Sequence, residues 1–222
     1  EAASSGAVAG RFINCGQSCI ASKRFFVAKK VVDEFLDQFV RKTKSLVVGD
    51  PLHSETDVGP MVRDQAVRVL DGQVKESVKA GAKIELGGER LKRHGFFYAP
   101  TILTDVSPDM RVMQEETFGP VAPVMAVKGD EEAVKLANMS EFGLGASVWG
   151  QDIRRAEKVS RQVSTGLVSV NNVVVSDPRM PFGGVKKSGF GRELSRYGLL
   201  EFANVKSVRL YEKSPIAHAR VE

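Results

Sequence analysis

Between Val32 and Leu46 the apolar side chains Val32, Phe35, Leu36, Phe39, Val40 and Leu46 recur at helical spacing, with Asp33, Glu34, Asp37, Lys42 and Lys44 between them. A stripe of that period predicts an amphipathic helix whose apolar face packs on a core. The run "RFFVA" before it reads as a buried strand, and "GDPL" after it stops the helix. A second helix is predicted over "DQAVRVLDGQVKESVKAG", with Gly81 at its C-terminal cap. "KIELGG" and "PTILTDV" read as strands, separated by a turn at "HGFF". From Asp130 the pattern alternates: helix "DEEAVKLANMSE", strand "GASVWG", helix "DIRRAEKVSRQV", strand "GLVSVN". Strands separated by helices of that length indicate βαβ units. The expected fold class is α/β, a mostly parallel sheet flanked by helices in one compact domain, ending in a tail strand, "NVKSVRLY".

Composition narrows the function classes. The chain has 222 residues, 42% hydrophobic and 27% charged, which is globular material with enough length for a core that needs no staples. The formal net charge is +5, but the basic residues alternate with acids, as in "EKVSRQ" and "KSGFGRELSR". A mixed surface without an aromatic-interleaved basic stripe argues against nucleic acid as a partner. No apolar run approaches the ~18 residues of a membrane span, so a membrane is not an expected partner either. Two cysteines make a disulfide scaffold a poor reading, and a reducing, cytoplasmic location is the expectation. The opening "EAASSGAVAG" lacks the basic start and apolar core of a signal peptide and has no initiator Met; the expectation is a piece of something longer.

The two cysteines, Cys15 and Cys19, lie in "RFINCGQSCIASKR". They supply at most two zinc ligands, and His53, His94 and His218 form no ligand pair at helical or finger spacing, which argues against a metal. A Cys15–Cys19 disulfide would close a loop too small to stabilise much. Cys19, however, follows a Gly-Gln turn and precedes "IASKR", read as a first helical turn carrying Lys23 and Arg24. Amide dipoles at a helix start and nearby cations favour the thiolate. On these residues alone, a buried structural cysteine and an activated nucleophile stand level.

The stretch "FINCGQSC" resembles the cysteine active-site signature of the aldehyde dehydrogenase superfamily. Further motifs of that family follow in order: "GDP" at Gly49, "GP" at Gly59, "EETFGPV" at Glu115, "FGLGASVW" at Phe142, "GLVSVN" at Gly166 and "PFGGVKKSGFGRE" at Pro181. The resemblance covers about Glu1 to Tyr211. It implies that Cys19 is the nucleophile toward an aldehyde, with its own backbone N–H as one oxyanion donor. It implies that Glu116 accepts the ribose hydroxyls of NAD or NADP, for which a carboxylate has two acceptor oxygens, and that Phe118 packs beside the nicotinamide. Asn171 would brace the active-site loops, Phe182 would line the approach to the cysteine, and Arg192 and Glu193 would open the next helix. Residues 1–200 would form the catalytic domain and 201–222 a tail strand for homo-oligomer assembly. "PFGGVKKSGFGRE" fits neither phosphate-loop pattern, so its glycines are expected to serve tight turns.

Members of that family are about twice this long. The resemblance therefore places a dinucleotide-binding domain, a general-base glutamate and a second oxyanion donor in a half that is not in this sequence, and the isolated chain is expected to be inactive. Within the family, "SDPRMPFGGVKKSGFGRELS" and "GLLEFANVKSV" are most similar to bacterial and archaeal succinate-semialdehyde dehydrogenases. For such a substrate, Ser176 and Arg179 are the candidate carboxylate ligands, since Arg binds carboxylates in bidentate fashion. Some relatives carry Arg six residues before the cysteine, where this chain has Ile13. Two rival readings are a non-catalytic assembly subunit and a cysteine hydrolase or acyltransferase. The second would need a histidine base near Cys19.

Overall fold

The computed structural model describes residues 1–212. The chain opens with helix α1 (Ala2–Phe12), which passes through a short 3-10 turn (Ile13–Gly16) into strand β1 (Phe25–Ala28). Helices α2 (Val32–Lys44) and α3 (Asp64–Lys79) follow, then strands β2 (Lys83–Leu86) and β3 (Thr101–Thr104), the single turn α4 (Arg111–Gln114) and strand β4 (Val121–Val127). The second part alternates: α5 (Asp130–Asn138), β5 (Phe142–Gly143), β6 (Gly145–Val148), α6 (Ile153–Ser160) and β7 (Leu167–Val170). Strand β8 (Val185–Lys186) and helix α7 (Ser195–Leu200) complete the elements.

Four strands form one sheet in the order β1-β4-β3-β2, with β1 and β3 parallel to β4 and β2 antiparallel to β3. β6 and β7 form a separate parallel pair, and β5 and β8 an antiparallel one. The α/β class is as expected; the sheet is mixed, and it is divided. β2 runs antiparallel to β3, and the connection between them, residues 87–100, carries no crossover helix. Strand β3 is buried at every residue and β4 at five of seven positions, the pattern of strands covered on both faces.

The predicted stripe of α2 packs as expected. Phe39 is fully buried, with the rings of Phe12, Phe25 and Phe35 at centroid distances of 6.2, 5.5 and 5.4 Å. Those four rings join α1, β1 and α2, at spacings where aromatic pairs add to simple burial. α3 ends as predicted, with Gly81 at φ +114 just beyond its cap.

Helix α1 was not predicted. Its inward face is Ser4, Ala7 and Gly10, too small to register as an apolar stripe. Small residues are what the site needs: a Cβ on Gly6 would fall inside the contact radius of the Trp149 ring. At the other end, residues 204–211 form no strand and are exposed, with Phe202, Val205 and Leu210 uncovered. The rest of the predicted tail, residues 213–222, lies outside the described residues. Among the described residues no helix is long and apolar enough to cross a membrane.

Candidate active site

The cysteine loop owes its shape to a reversal of backbone hand. After α1, Asn14 (φ 49), Cys15 (φ 57) and Gly16 (φ 71) occupy the left-handed region in succession. This turns Cys15 into the core and carries Cys19 to the surface. Burial pushes the Cys15 thiol up to about 12, against a smaller opposing pull from the charge of Arg11.

Residues Ser18–Ala21 form a tight turn closed by Ala21 N–H to Ser18 O at 3.1 Å. The helix expected to start at Cys19 does not exist: Ser22, Lys23 and Arg24 run directly into β1. Ser22 is pinned to α1 instead, its N–H donating to Gly10 O at 2.8 Å and its carbonyl accepting from Arg11 Nη1 at 2.8 Å. Held from both sides, the segment cannot curl into a helical turn. Any electrostatic support for Cys19 therefore comes from side chains, not from a helix dipole.

Arg11 is the residue the sequence reading missed. It is fully buried, and its guanidinium donates to three backbone carbonyls: Ser22, Gly16 at 2.7 Å and Thr117 at 3.4 Å. These belong to the start of β1, the cysteine loop and the segment before β4, so one side chain ties the three together. Burial holds it down to about 10. An arginine in a helix of small residues gives no sequence signal of burial, because this residue type is almost always exposed. Gln17 makes a second tie. Its Oε1 accepts from Val62 N–H at 2.8 Å and its Nε2 donates to Pro60 O at 3.4 Å, which fastens the loop containing Gly59 to the cysteine turn.

Lys23 stands at the centre of the site. Its Nζ donates to Ser18 O at 2.6 Å, Ala21 O at 3.0 Å and Cys19 O at 3.4 Å. The same ammonium lies 3.5 Å from Glu116 Oε1 and 5.3 Å from the centre of the Phe118 ring. Three predicted residues from two distant segments thus meet around one cation. Glu116 and Phe118 are 43% and 44% exposed, open to a ligand even while held by Lys23. Glu115 points elsewhere, in a bidentate pair with Arg111 and bonded to Gln73.

Cys19 and Glu116 line one cleft of about 1090 Å³, whose walls include residues of β1 and β6. Ser176, Arg179, Phe118 and Phe182 are not among its lining residues. Among the described residues, no hydrogen bond or ion pair links Ser176, Arg179 or Phe182 to the cysteine loop. Arg179 instead forms a two-point pair with Asp177, Nε to Oδ1 at 2.9 Å and Nη2 to Oδ2 at 2.6 Å, with the arginine exposed and the carboxylate half-buried. That pair holds the Asp177 carboxyl down to about 2. Phe182 pairs with Glu193 through two backbone hydrogen bonds of 2.8 Å. Arg192 and Glu193 thus close the loop that starts at Phe182, and helix α7 begins only at Ser195, after a left-handed Leu194. Glycines 183, 189 and 191 all take positive φ, as a chain of tight turns requires. Asn171 (φ 53) makes a two-point pair with the Gly150 backbone at 2.8 Å each way, bracing the ends of β6 and β7 against each other.

A family model described as "Aldehyde dehydrogenase family" matches residues 1–208. The succinate-semialdehyde dehydrogenase [NADP(+)] 1 of Mycobacterium tuberculosis is 48% identical over 208 residues, which is 94% of this chain and 46% of that protein. The succinate-semialdehyde dehydrogenase [NADP(+)] of Deinococcus radiodurans is 47% identical over 92% of this chain and 43% of its own length. Among solved structures, an NAD-dependent aldehyde dehydrogenase from Sinorhizobium meliloti superposes with a TM-score of 0.93 at 38% identity, over 96% of this chain and 43% of that one. The chain spans less than half the length of the curated relatives it matches.

Proposed function

The chain belongs to the aldehyde dehydrogenase family, and on that premise we propose that it is the cysteine-bearing catalytic part of an NAD- or NADP-dependent enzyme oxidising an aldehyde, succinate semialdehyde above all, to the acid. The observation that carries this reading is the meeting of the Cys19 turn, Glu116 and Phe118 around Lys23. The cofactor is a reasonable fit to what is there. A half-exposed carboxylate suits the two hydroxyls of a ribose, and a half-exposed ring beside it suits a flat aromatic group.

In this reading the Cys19 thiolate adds to the aldehyde carbon, forming a C–S bond and leaving charge on the former carbonyl oxygen. The Cys19 backbone N–H donates to no acceptor among the described hydrogen bonds, so it is available to that oxyanion. The chemistry a bound nicotinamide dinucleotide supplies is acceptance of the hydride released from the substrate carbon. The acyl group left on Cys19 is a thioester, labile to water. The water-activating base and the second oxyanion donor are assigned to the part of the relatives that this chain does not span, so the isolated chain is expected to be inactive.

Substrate choice rests on the names of the relatives and on Ser176 and Arg179. Because Arg179 is paired with Asp177, a substrate carboxylate would have to displace that partner. The tail from residue 201 is read as an assembly element, since among the described residues its apolar side chains up to Leu210 are largely exposed.

The test is a chimera joining this chain to the preceding part of the Mycobacterium tuberculosis relative. It should reduce NADP with succinate semialdehyde, and Cys19→Ser should remove that activity. Arg179→Ala should lower relative kcat/KM for succinate semialdehyde against butyraldehyde on the order of tenfold. An active chimera that keeps its rate after Cys19→Ser would refute the assignment. An equal fall for both aldehydes would remove Arg179 from substrate recognition.

A further inference from the structure

Three carbonyl oxygens of the Ser18–Ala21 turn point toward one spot, and the ammonium that fills it comes from Lys23, two residues beyond the turn. Converging carbonyls repel one another unless a donor or cation sits among them. Lys23 does more than neutralise them, because it also reaches Glu116 and lies over Phe118, which arrive from the segment before β4. Its side chain is 17% exposed, so these contacts act in a medium that screens them far less than water.

We propose that Lys23 is a positioning residue, a charged clamp that holds the Cys19 turn against the Glu116–Phe118 segment and so presets the spacing between nucleophile and ribose-binding carboxylate. The proposal rests on the functional reading above for the roles of Cys19 and Glu116; the clamp itself rests on geometry. It is compatible with a ligand on Glu116, because each carboxylate oxygen can accept more than one donor.

The clamp is also sensitive to pH. Burial, then the charge of Arg11 on α1, holds Lys23 down to about 8; Glu116 across the site and Cys19 in its own turn pull the other way. The folded value lies below the ordinary lysine value of 10.5, so folding disfavours the ammonium form. The clamp needs the proton, so it is complete below about 8 and released as pH rises through that value. Between about 8 and 10.5 the neutral amine is the form the fold prefers, so this group's contribution to global stability rises over the same range. Local loosening without global destabilisation separates a positioning role from a merely structural one.

The test uses the 222-residue chain carrying Cys19→Ser, so that no thiol titrates in the turn. Amide hydrogen exchange, corrected for intrinsic rates, is followed by mass spectrometry from about pH 6.5 to about pH 9.5. Protection of the bonded amides beside the clamp, Ala21 and Ser22 in one peptide and Glu115 and Val121 in the other, should fall together, about tenfold, with one midpoint at or somewhat below 8, since Cys19→Ser removes a charge that raises it. Lys23→Met should abolish the transition and leave both segments weakly protected at every pH. Lys23→Arg should abolish it and leave both protected, since guanidinium keeps its proton. Glu116→Gln should keep the transition in the Ala21–Ser22 peptide and remove it from the Glu115–Val121 peptide. A transition that survives Lys23→Met, or separate midpoints for the two segments in the parent, would overturn the proposal. With Cys19 absent from the experiment, a negative result leaves the catalytic reading standing. An inactive chimera would equally leave the clamp standing.

Discussion

Gly16→Ala separates two costs that the cysteine loop combines. The first is conformational: Gly16 sits at φ +71, where an L side chain costs about 1 kcal/mol. The second is steric. A Cβ at Gly16 would fall within the contact radius of Gly119 O and the Arg11 guanidinium, and 2.7 Å from the Gly119 carbonyl carbon. Neither neighbour can swing away. Gly119 is backbone on the approach to β4, and Arg11 is fixed by three carbonyls. Overpacking of that kind costs about 1–3 kcal/mol, so the whole substitution should cost about 2–4 kcal/mol. With an unfolding entropy of about 2.1 cal/mol/K per residue, that lowers Tm by about 4–9 °C for a chain of this length. Two controls calibrate it. Gly189→Ala meets open space at φ +114 and should lose only the conformational part, about 2 °C. Gly129→Ala meets open space in an extended backbone, and its cost is that of Ala for Gly at the N-cap of α5, below about 1 kcal/mol or about 2 °C. Calorimetry or circular-dichroism melts of the three variants decide the matter. If Gly16→Ala melts no lower than Gly189→Ala, the close approach of the cysteine loop to Gly119 is not a structural constraint, and the account of why Cys19 is placed as it is fails.

The exposure of Cys19 and the burial of Cys15 set two outcomes, and the Asn171–Gly150 pair sets a third. Iodoacetamide at neutral pH should label Cys19 well before Cys15, because Cys19 is exposed while Cys15 is buried with its thiol pushed up to about 12. For the same reason mild peroxide should carry Cys19 toward sulfinic acid rather than to a Cys15–Cys19 disulfide, since Cys15 supplies almost no thiolate to attack a sulfenic acid. Peptide mapping reads both, and equal labelling or a dithiothreitol-reversible loss of two hydrogens would contradict them. Asn171→Ala should cost about 1–2 kcal/mol, losing the two-point pair to Gly150 and straining φ 53. Asn171→Gly should recover part of that in the same melts, because glycine tolerates the backbone but cannot restore the pair.

The amphipathic helices and buried strands were legible because each is a local pattern. Apolar side chains at helical period over Val32–Lys44 can bury their stripe in only one way, and β3 lies within the predicted run "PTILTDV". The motifs were legible for a related reason: they are runs of adjacent residues whose identity is itself the signal, as in "FINCGQSC" and "EETFGPV". What escaped was set by contacts between distant segments. Helix α1 buries small residues against Trp149 and Ser22, so its face carries no apolar stripe, and its neighbours lie far along the chain. The helix expected at Cys19 lost to tertiary ties, since Gly10 and Arg11 hold Ser22 extended.

The α/β class and the main amphipathic elements were thus readable from the residues alone, and so was the choice of Cys19 and Glu116 as candidates, which the fold brings to one cleft. Tertiary structure alone decided which of the two cysteines is buried, that Arg11 lies in the core, and that Arg179 is paired with Asp177. It also decided that Lys23 joins the cysteine turn to Glu116 and Phe118. The physical reason is one of range. Secondary structure follows from periodicity over a few turns, whereas the environment of an ionisable side chain depends on which remote carbonyls, charges and apolar walls the fold brings within a few ångströms of it.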